Sequence, residues 1–543
     1  MTRIHLDDFS KNFWGASLKE LTLPSLLLRQ LKRRGSETLL IDAFLGDRTL
    51  NGYQTITIGL LMARWLKENV KEKRVGIVLP TGMAAFLVNL GCVLAGKIPV
   101  NLNFTAGRSS NESCIQKAGI QSIFTVAPMI EKFPNFPWGD QPHDVKAILT
   151  GFSKTKKITA FLQSFFLPPS CLSKSLQIPD SSTESEAALL FTSGSSGEPK
   201  GVVLTHRNIL SNVLQVHSAL RGLELDSLLG SLPVFHSFGF TVTLWWPLLG
   251  GPKVVTYPSP TETKALAETI ERHQIKLLLS TPTFLRAFIR RATREQLRSL
   301  KMIVTGAEKL PQAVLEGFES KFGTPVCEGY GMTEATPVVS VNLLESNGKP
   351  GAQRKIGTVG KPLADVQVEI RDPFSEAVLS SGSGMIWIKG PNVFSGYLND
   401  PERSDQVLKQ SWYKTGDLGF LDETGFLVVE GRLSRFSKIG GEMVPHGVVE
   451  EKIQQVLGIS DSEILEIAIA GVLDERKGEA LLILTTREID LESLRHQLLE
   501  QGLPALWIPR RLIRAKAIPT LASGKLDLKG LQELANLEGT SLS

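Results

Sequence analysis

The chain has 543 residues, enough for more than one domain, with 42% hydrophobic and 21% charged residues, the proportions of an ordinary globular protein. A net charge of +5 does not by itself point to nucleic acid, and no DNA- or RNA-binding signature accompanies it. Four scattered cysteines argue against a zinc site and a disulfide frame, no apolar run reaches the ~18 residues of a membrane span, and the polar start MTRIHLDDFSKNFWG is not a secretory signal, so a cytoplasmic protein is expected.

Residues 23–70 read as mixed helix and strand, with Ile58, Leu61, Met62 and Trp65 at helical spacing. Arg74 to Pro80 (RVGIVLP) reads as a short buried strand and its exit, Met83 to Leu94 as an apolar helix, and Lys97 to Asn103 as the next strand. Strand, helix and strand at this pace predict a doubly wound α/β layer. The segment 154–172, KTKKITAFLQSFFLPPSCL, sets three lysines before an apolar run of Phe161, Leu162, Phe165, Phe166 and Leu167. Two readings stand for it: a surface helix packed on its own domain, and peripheral contact with an anionic membrane surface, which would place the protein at the inner face of a membrane.

Ala187 to Phe191 reads as a buried strand, followed by Thr192-Ser193-Gly194-Ser195-Ser196-Gly197-Glu198-Pro199-Lys200-Gly201 and a second apolar run. Three glycines and four hydroxyl residues can surround phosphate oxygens with N–H and O–H donors, and Lys200 adds positive charge. The loop is predicted to be a hairpin tip. It lacks the Walker A spacing, and a flexible Gly/Ser turn is the plainer alternative. Ser231 to Gly251, SLPVFHSFGFTVTLWWPLLGG, contains no Asp, Glu, Lys or Arg. Phe238, Val242 and Trp245 fall on one predicted helical face, with Phe235, Gly239 and Phe240 beside them, a lining suited to an alkyl chain and equally to ordinary core. His236 is the odd residue there, and a core histidine is the plain reading of it.

Met302 to Val304 is predicted as a strand ending in Thr305-Gly306-Ala307-Glu308, and Val326-Cys327 leads into Glu328-Gly329-Tyr330-Gly331-Met332-Thr333-Glu334. Both read as turns after apolar strands, where open α/β sheets hold ligands. The glycines let backbone approach, Tyr330 offers a stacking face, Thr333 a hydroxyl for phosphate, and Glu334 a carboxylate for Mg2+. From Gly357 to Phe420 the alternating runs Val366–Ile370 and Met385–Ile388 predict a small β subdomain. Asp417, in Tyr413-Lys414-Thr415-Gly416-Asp417, reads as a turn carboxylate able to take both hydroxyls of a ribose, or as a plain Asx turn. Gly431 to Gly441 reads as a charged linker with paired glycines, followed by a separate domain with helices around 448–457 and 491–501 and strands around 466–472 and 480–485. Lys525 closes Leu521-Ala522-Ser523-Gly524-Lys525 on a Ser-Gly turn.

In this order, TSGSSGEPKG, EGYGMTE, YKTGDLG, GR and SGK resemble the AMP-binding, adenylate-forming superfamily of acyl-CoA synthetases, luciferases and adenylation domains. In finer detail SLPVFHSFGFTV, YPSP, TGAEKL and GRLSRFSKIGGEMV resemble its acyl-acyl carrier protein synthetases, including the synthetase half of bifunctional 2-acylglycerophosphoethanolamine acyltransferases. None of the eight histidines begins a His-x-x-x-x-Asp motif, so a synthetase without the acyltransferase half is expected. The resemblance implies an α/β fold: a large N-terminal domain of doubly wound subdomains plus the small β subdomain (1–430), a hinge (431–436), and a small mobile α+β C-terminal domain (437–543). Many members read Gly-Arg-x-x-Asp at the hinge, where this chain carries Arg435.

The resemblance also implies roles. Thr192 to Lys200 would hold the β- and γ-phosphates of ATP. Tyr330 would stack on adenine beside the Ala307–Glu308 backbone, with Glu328, Gly329 and Gly331 next to it. Thr333 would bind the α-phosphate and Glu334 the Mg2+, Asp417 and Arg432 the ribose, and Lys525 would bridge the acid and the α-phosphate. His236 would gate the acyl carboxylate, and rotation of the C-terminal domain would bring Lys438 to Gly441 to an incoming phosphopantetheine thiol. On the carrier-protein branch the expected reaction joins a fatty acid to acyl carrier protein, docked on Arg510, Arg511, Arg514 and Lys516. A fatty acyl-CoA ligase is the alternative within the same chemistry, and an inactive nucleotide- or lipid-binding relative the non-enzyme alternative.

Overall fold

The computed structural model describes residues 21–178, 182–193, 198–343, 354–440, 442–459, 465–474, 478–520 and 526–539. Two parallel layers dominate the N-terminal part. In one, Ile98–Asn101, Arg74–Ile77, Ile123–Thr125 and His143–Asp144 lie side by side. In the other, Thr38–Asp42, Lys253–Thr256, Ser227–Gly230, Leu277–Ser280, Met302–Thr305 and Val326–Gly331 run parallel, with antiparallel strands closing each edge. The central strands are continuous apolar runs because both faces are covered, which is how buried parallel sheets read. Met83–Leu94 is the helix expected at those residues, buried on nearly every side. Gly52–Asn69 starts at a capping box in which Asn51 and Gln54 satisfy each other's backbone N–H groups.

The hairpin expected around 192–200 is present. Glu186–Ser193 pairs antiparallel with Pro199–Thr205, and a third strand, Gly396–Tyr397, adds to its outer side. Gly194, Ser195, Ser196 and Gly197 at its tip lie outside the described residues, as do Lys525 and the side chain of Ser193. A small antiparallel sheet follows, in which Gly384–Lys389 stands between Gln367–Arg371 and Trp412–Leu421, and Leu427–Arg432 pairs with the latter. The C-terminal body has its own sheet and its own apolar clusters, around Ile469, Ile483 and Leu498 on one side and Ala470, Leu482 and Leu531 on the other.

Four expectations about local structure are corrected. Trp412–Leu421 is a ten-residue strand, so Asp417 stands within a ladder opposite Arg432 and not at a turn. Glu328 to Gly331 likewise continues a strand, and the chain turns only at the 3-10 helix Thr333–Ala335. Gly431 to Ile439 is not a linker: Leu427–Arg432 and Phe436–Ile439 are strands joined by the single turn Leu433–Arg435. Finally, Gly239–Trp245 is a π-helix. Its wider i→i+5 turn breaks the single face that 3.6-residue spacing would give Phe238, Val242 and Trp245, and Trp245 is buried in the main core against Phe240.

The helix Lys154–Phe166 is seated on Gly52–Asn69 through its smallest residues. Ala160 and Ser164 are buried, while Ile158, Phe161, Leu162, Phe165 and Phe166 face solvent. Among the described residues no helix is long and apolar enough to cross a membrane. Cys92, Cys114 and Cys327 are buried cysteines outside any disulfide, and Cys171 is exposed.

The helix His206–Leu220 joins the layers. Asn212 Oδ1 accepts from Val338 N at 3.0 Å and its Nδ2 donates to Val338 O at 2.8 Å, while Asn208 Nδ2 donates to Pro391 O and Val393 O. Replacing Asn212 by Leu strands the buried Val338 N–H. The expected cost is ~1–3 kcal/mol, read as a lower urea midpoint with an unchanged slope.

Candidate active site

Strand register brings the polar residues together. Thr192 stands opposite Lys200 across the hairpin, and Tyr397 stands opposite Val202 on the hairpin's other side. The Lys200 ammonium therefore lies 5.5 Å from the centre of the Tyr397 ring. The Tyr397 hydroxyl donates to Glu334 Oε1 at 2.8 Å, and burial together with that carboxylate pushes the phenol's pKa up. Burial, then the nearby Arg403 guanidinium, lowers the pKa of Lys200, while Glu334 acts against both. Glu334 is buried, and among the described residues its second oxygen has no protein donor.

Beside this group, Asp417 is 5% exposed and held from two sides. Tyr330 donates its hydroxyl to Oδ2 at 2.6 Å, and Arg432 Nε lies 3.1 Å from Oδ1. Burial raises the Asp417 pKa and Arg432 draws it back, while the same pairing raises that of Arg432. Tyr330 is part-buried, and desolvation followed by Asp417 keeps its phenol protonated.

Thr333 Oγ1 donates to Ser237 Oγ at 3.1 Å, which sets the 236–238 segment against the end of the Glu328–Gly331 strand. His236 is exposed, not a core histidine; its ring is 4.7 Å from Phe235, which in turn meets Phe104 at 5.1 Å. Phe238 is part-buried, with its ring beside Gly306. Gly239 has no room for a side chain, since a Cβ would fall 2.2 Å from Pro233 O. Val242 and Trp245 lie deeper, in the core.

Ala307 adopts a left-handed backbone (φ 68°) in the turn after Met302–Thr305, and Glu308 accepts from Thr283 Oγ1 at 2.7 Å. Gly329 pairs with Val341, and at Gly331 a Cβ would meet Pro337 O at 2.0 Å, so only glycine allows this path. Lys438 places its ammonium 4.3 Å from the ring of Phe374, in the turn after the strand Gln367–Arg371. Lys309 Nζ lies 3.7 Å from Glu451 Oε2 in the helix His446–Val456 and so links the turn after Ala307 to the C-terminal body.

The residues suit a Mg2+-nucleotide. Among the described residues no three His, Cys, Asp or Glu side chains cluster to hold a metal. Mg2+ is commonly held by one or two carboxylates together with substrate phosphates, which the half-open Glu334 carboxylate near Lys200 satisfies. The buried hydroxyls of Thr281 and Thr305, at the carboxyl ends of adjacent parallel strands, have no partner among the described residues, which leaves hydrogen-bonding capacity there.

Sequence reasoning missed Tyr397 and Ser237. Ser-Gly-Tyr carries no local chemical sign, and Tyr397 gains its place only by pairing with Val202, far away in the chain. Ser237 was legible as the one free hydroxyl beside His236, but nothing in the sequence joins it to Thr333.

Comparison with known proteins follows from this geometry. The AMP-binding enzyme family model matches residues 28–398. The chain is 28% identical to a long-chain-fatty-acid–CoA ligase of Bacillus subtilis (strain 168), over 95% of both chains. It is 30% identical to an indoleacetate–CoA ligase of Aromatoleum aromaticum, over 66% of this chain and 68% of that one. Its fold matches o-succinylbenzoate coenzyme A synthetase of Bacillus subtilis, solved with ATP and magnesium ion, with a TM-score of 0.76 at 23% identity over 94% of this chain and 99% of that one. These relatives correct the expected acceptor: they are named as CoA ligases, and the acyl carrier protein reading is overturned. Within the expected carrier dock, Arg514 is paired with Glu488 at 2.7 Å and Arg511 is engaged as well.

Two outcomes follow from the site. Tyr397→Phe keeps the ring under Lys200 and removes the donor to Glu334; pyrophosphate exchange should fall about tenfold with a raised half-saturating Mg2+, measured by Mg2+ titration at fixed ATP. Glu328 is pushed up to about 7 by burial, against the Leu310 N–H and Lys309. A carboxyl raised on folding stabilises fully at low pH and loses that contribution as pH rises through about 7. Urea midpoints should therefore fall from pH 5 to pH 8 in the native chain and fall less in Glu328→Gln.

Proposed function

The chain belongs to the AMP-binding enzyme family and is an acid–thiol ligase, and from that premise we propose that its acid is a medium- or long-chain fatty acid and its thiol that of coenzyme A. The observation that carries this reading is the charge-free run Ser231 to Gly251, tied to the site through Ser237 and Thr333. An amino acid's ammonium would need a carboxylate in that wall. An alkyl chain needs none and gains about 0.8 kcal/mol per buried CH2. The long-chain-fatty-acid ligase from Bacillus subtilis, similar along nearly its whole length, supports the same choice.

A carboxylate is a poor electrophile, so activation comes first. One carboxylate oxygen attacks the α-phosphorus of ATP, an acyl–phosphate bond forms, and pyrophosphate leaves. The coenzyme A thiol then adds to the acyl carbonyl, AMP leaves, and the thiol proton passes to solvent. Lys200 and the 192–197 segment take the β- and γ-phosphates, Thr333 the α-phosphate, and Tyr330 the adenine face. Asp417, oriented by Tyr330 and Arg432, accepts from the ribose hydroxyls. Glu334, oriented by Tyr397, would hold Mg2+, which would supply charge neutralisation as the carboxylate approaches the phosphates. His236 and Phe238 face the acyl carboxylate. Lys525 bridges acid and α-phosphate in the first step, and in the second a turn of the C-terminal domain, residues 437–543, about the 431–436 hinge exchanges it for the segment at Lys438. The protein contributes placement and charge, without a nucleophile of its own.

The test is thioester formation from ATP, Mg2+ and coenzyme A with labelled palmitate or indoleacetate. Palmitoyl-CoA with stoichiometric AMP is expected; turnover of the aryl acid alone would overturn the fatty-acid assignment. Lys525→Ala should lose about a hundredfold or more in pyrophosphate exchange and still convert supplied palmitoyl-adenylate to thioester. Equal loss in both steps would remove Lys525 from its role.

A further inference from the structure

The helix Lys154–Phe166 is mounted in reverse. An amphipathic helix ordinarily turns its apolar stripe to the core, whereas this one buries Ala160 and Ser164 and leaves Phe166 70% and Ile158 59% exposed. Phe161, Leu162 and Phe165 complete the outward stripe. From Ile158 to Phe166 it spans eight rises of 1.5 Å, about 12 Å.

Polar ties fix this orientation. Thr57 Oγ1 donates to Ser164 Oγ at 3.0 Å, Arg64 donates to Gln163 Oε1 at 2.6 Å, and Lys32 Nζ donates to Ser164 O at 2.7 Å and to Phe165 O. Rolling the aromatic face inward would break all of them and bring Phe161 and Phe165 to a seat that holds an alanine and a serine. The exposed stripe is therefore a built surface.

Its charge is one-signed. Residues 145–178 hold five lysines (146, 154, 156, 157 and 174) and no acid. Lys154, Lys156 and Lys157 are exposed at the start of the helix, and Lys32 and exposed Arg29 of the acid-free helix Leu23–Arg33 lie toward its end. Cations at both ends of an apolar stripe match a bilayer surface, with aromatic rings among the acyl chains and ammonium groups at anionic headgroups. We propose that the outward face of Lys154–Phe166, with the end of Leu23–Arg33, docks the protein reversibly on anionic lipid bilayers.

The test uses the full chain and floated vesicles of phosphatidylcholine alone or with about one third phosphatidylglycerol. Binding to the anionic vesicles that weakens with salt is expected, with little binding to the neutral ones. Phe165→Ser with Phe166→Ser should lower that binding about tenfold or more. Lys154→Glu with Lys156→Glu and Lys157→Glu should abolish the preference for anionic lipid. Both variants should keep native pyrophosphate exchange and thermal midpoint, which separates lost docking from lost folding. Equal flotation of native and Phe-pair proteins would overturn the proposal. So would no flotation together with a native dimer that the Phe pair dissolves, which would assign the face to a second copy of the chain.

Discussion

Burying one carboxylate organises the site. Asp417 sits in a strand interior where water is nearly absent, and an ionised group there is tolerated only with donors on both oxygens. Tyr330 comes from the end of the large parallel sheet and Arg432 from the neighbouring strand of the small one. The three residues thus fasten together two sheets that also share one apolar cluster, and on the proposed function the nucleotide's ring and its sugar would meet the same knot. Glu334 repeats the arrangement on a smaller scale, with Tyr397 from the third strand of the hairpin sheet.

Much of this was legible because the chemistry is concentrated in contiguous motifs. The Gly/Ser stretch between two apolar runs reads as a hairpin tip, with a flexible turn as the plainer alternative, and Met83–Leu94 reads as a helix because apolar residues dominate it. What failed has a common cause. Asp417 and Tyr330 read as turn residues because glycines surround them, yet both stand in strands, where Gly331 and Gly419 allow close backbone approach: a Cβ there would meet Pro337 O at 2.0 Å and Val428 O at 2.1 Å. The π-helix at Gly239–Trp245 was invisible because periodicity assumes 3.6 residues per turn. Tyr397 was invisible because strand pairing across nearly two hundred residues leaves no mark in either segment.

The acceptor shows the limit of motif detail. Motifs such as TGAEKL and GRLSRFSKIGGEMV pointed to a carrier-protein branch, and the arginine-rich stretch near residue 511 agreed with it, but similarity along the whole chain runs to CoA ligases. Runs of like-signed residues mislead when their counterions come from elsewhere in the sequence, as Glu488 does for Arg514.

Arg432 and Arg435 are only three positions apart but fastened to different bodies. Arg432 is held at Asp417, whereas Arg435 reaches into the C-terminal body, to Ile469 O at 3.1 Å and to the half-buried Glu450. Two residues, Leu433 and Ser434, lie between the two clamps. Mechanically this is a torsion link with almost no slack: it can twist, but it cannot let the bodies drift apart. A swing of the C-terminal body would be read out at once as a pull on Arg432, and through it on the Asp417 carboxylate. Lengthening the link by even one glycine would uncouple the two while leaving both clamps intact.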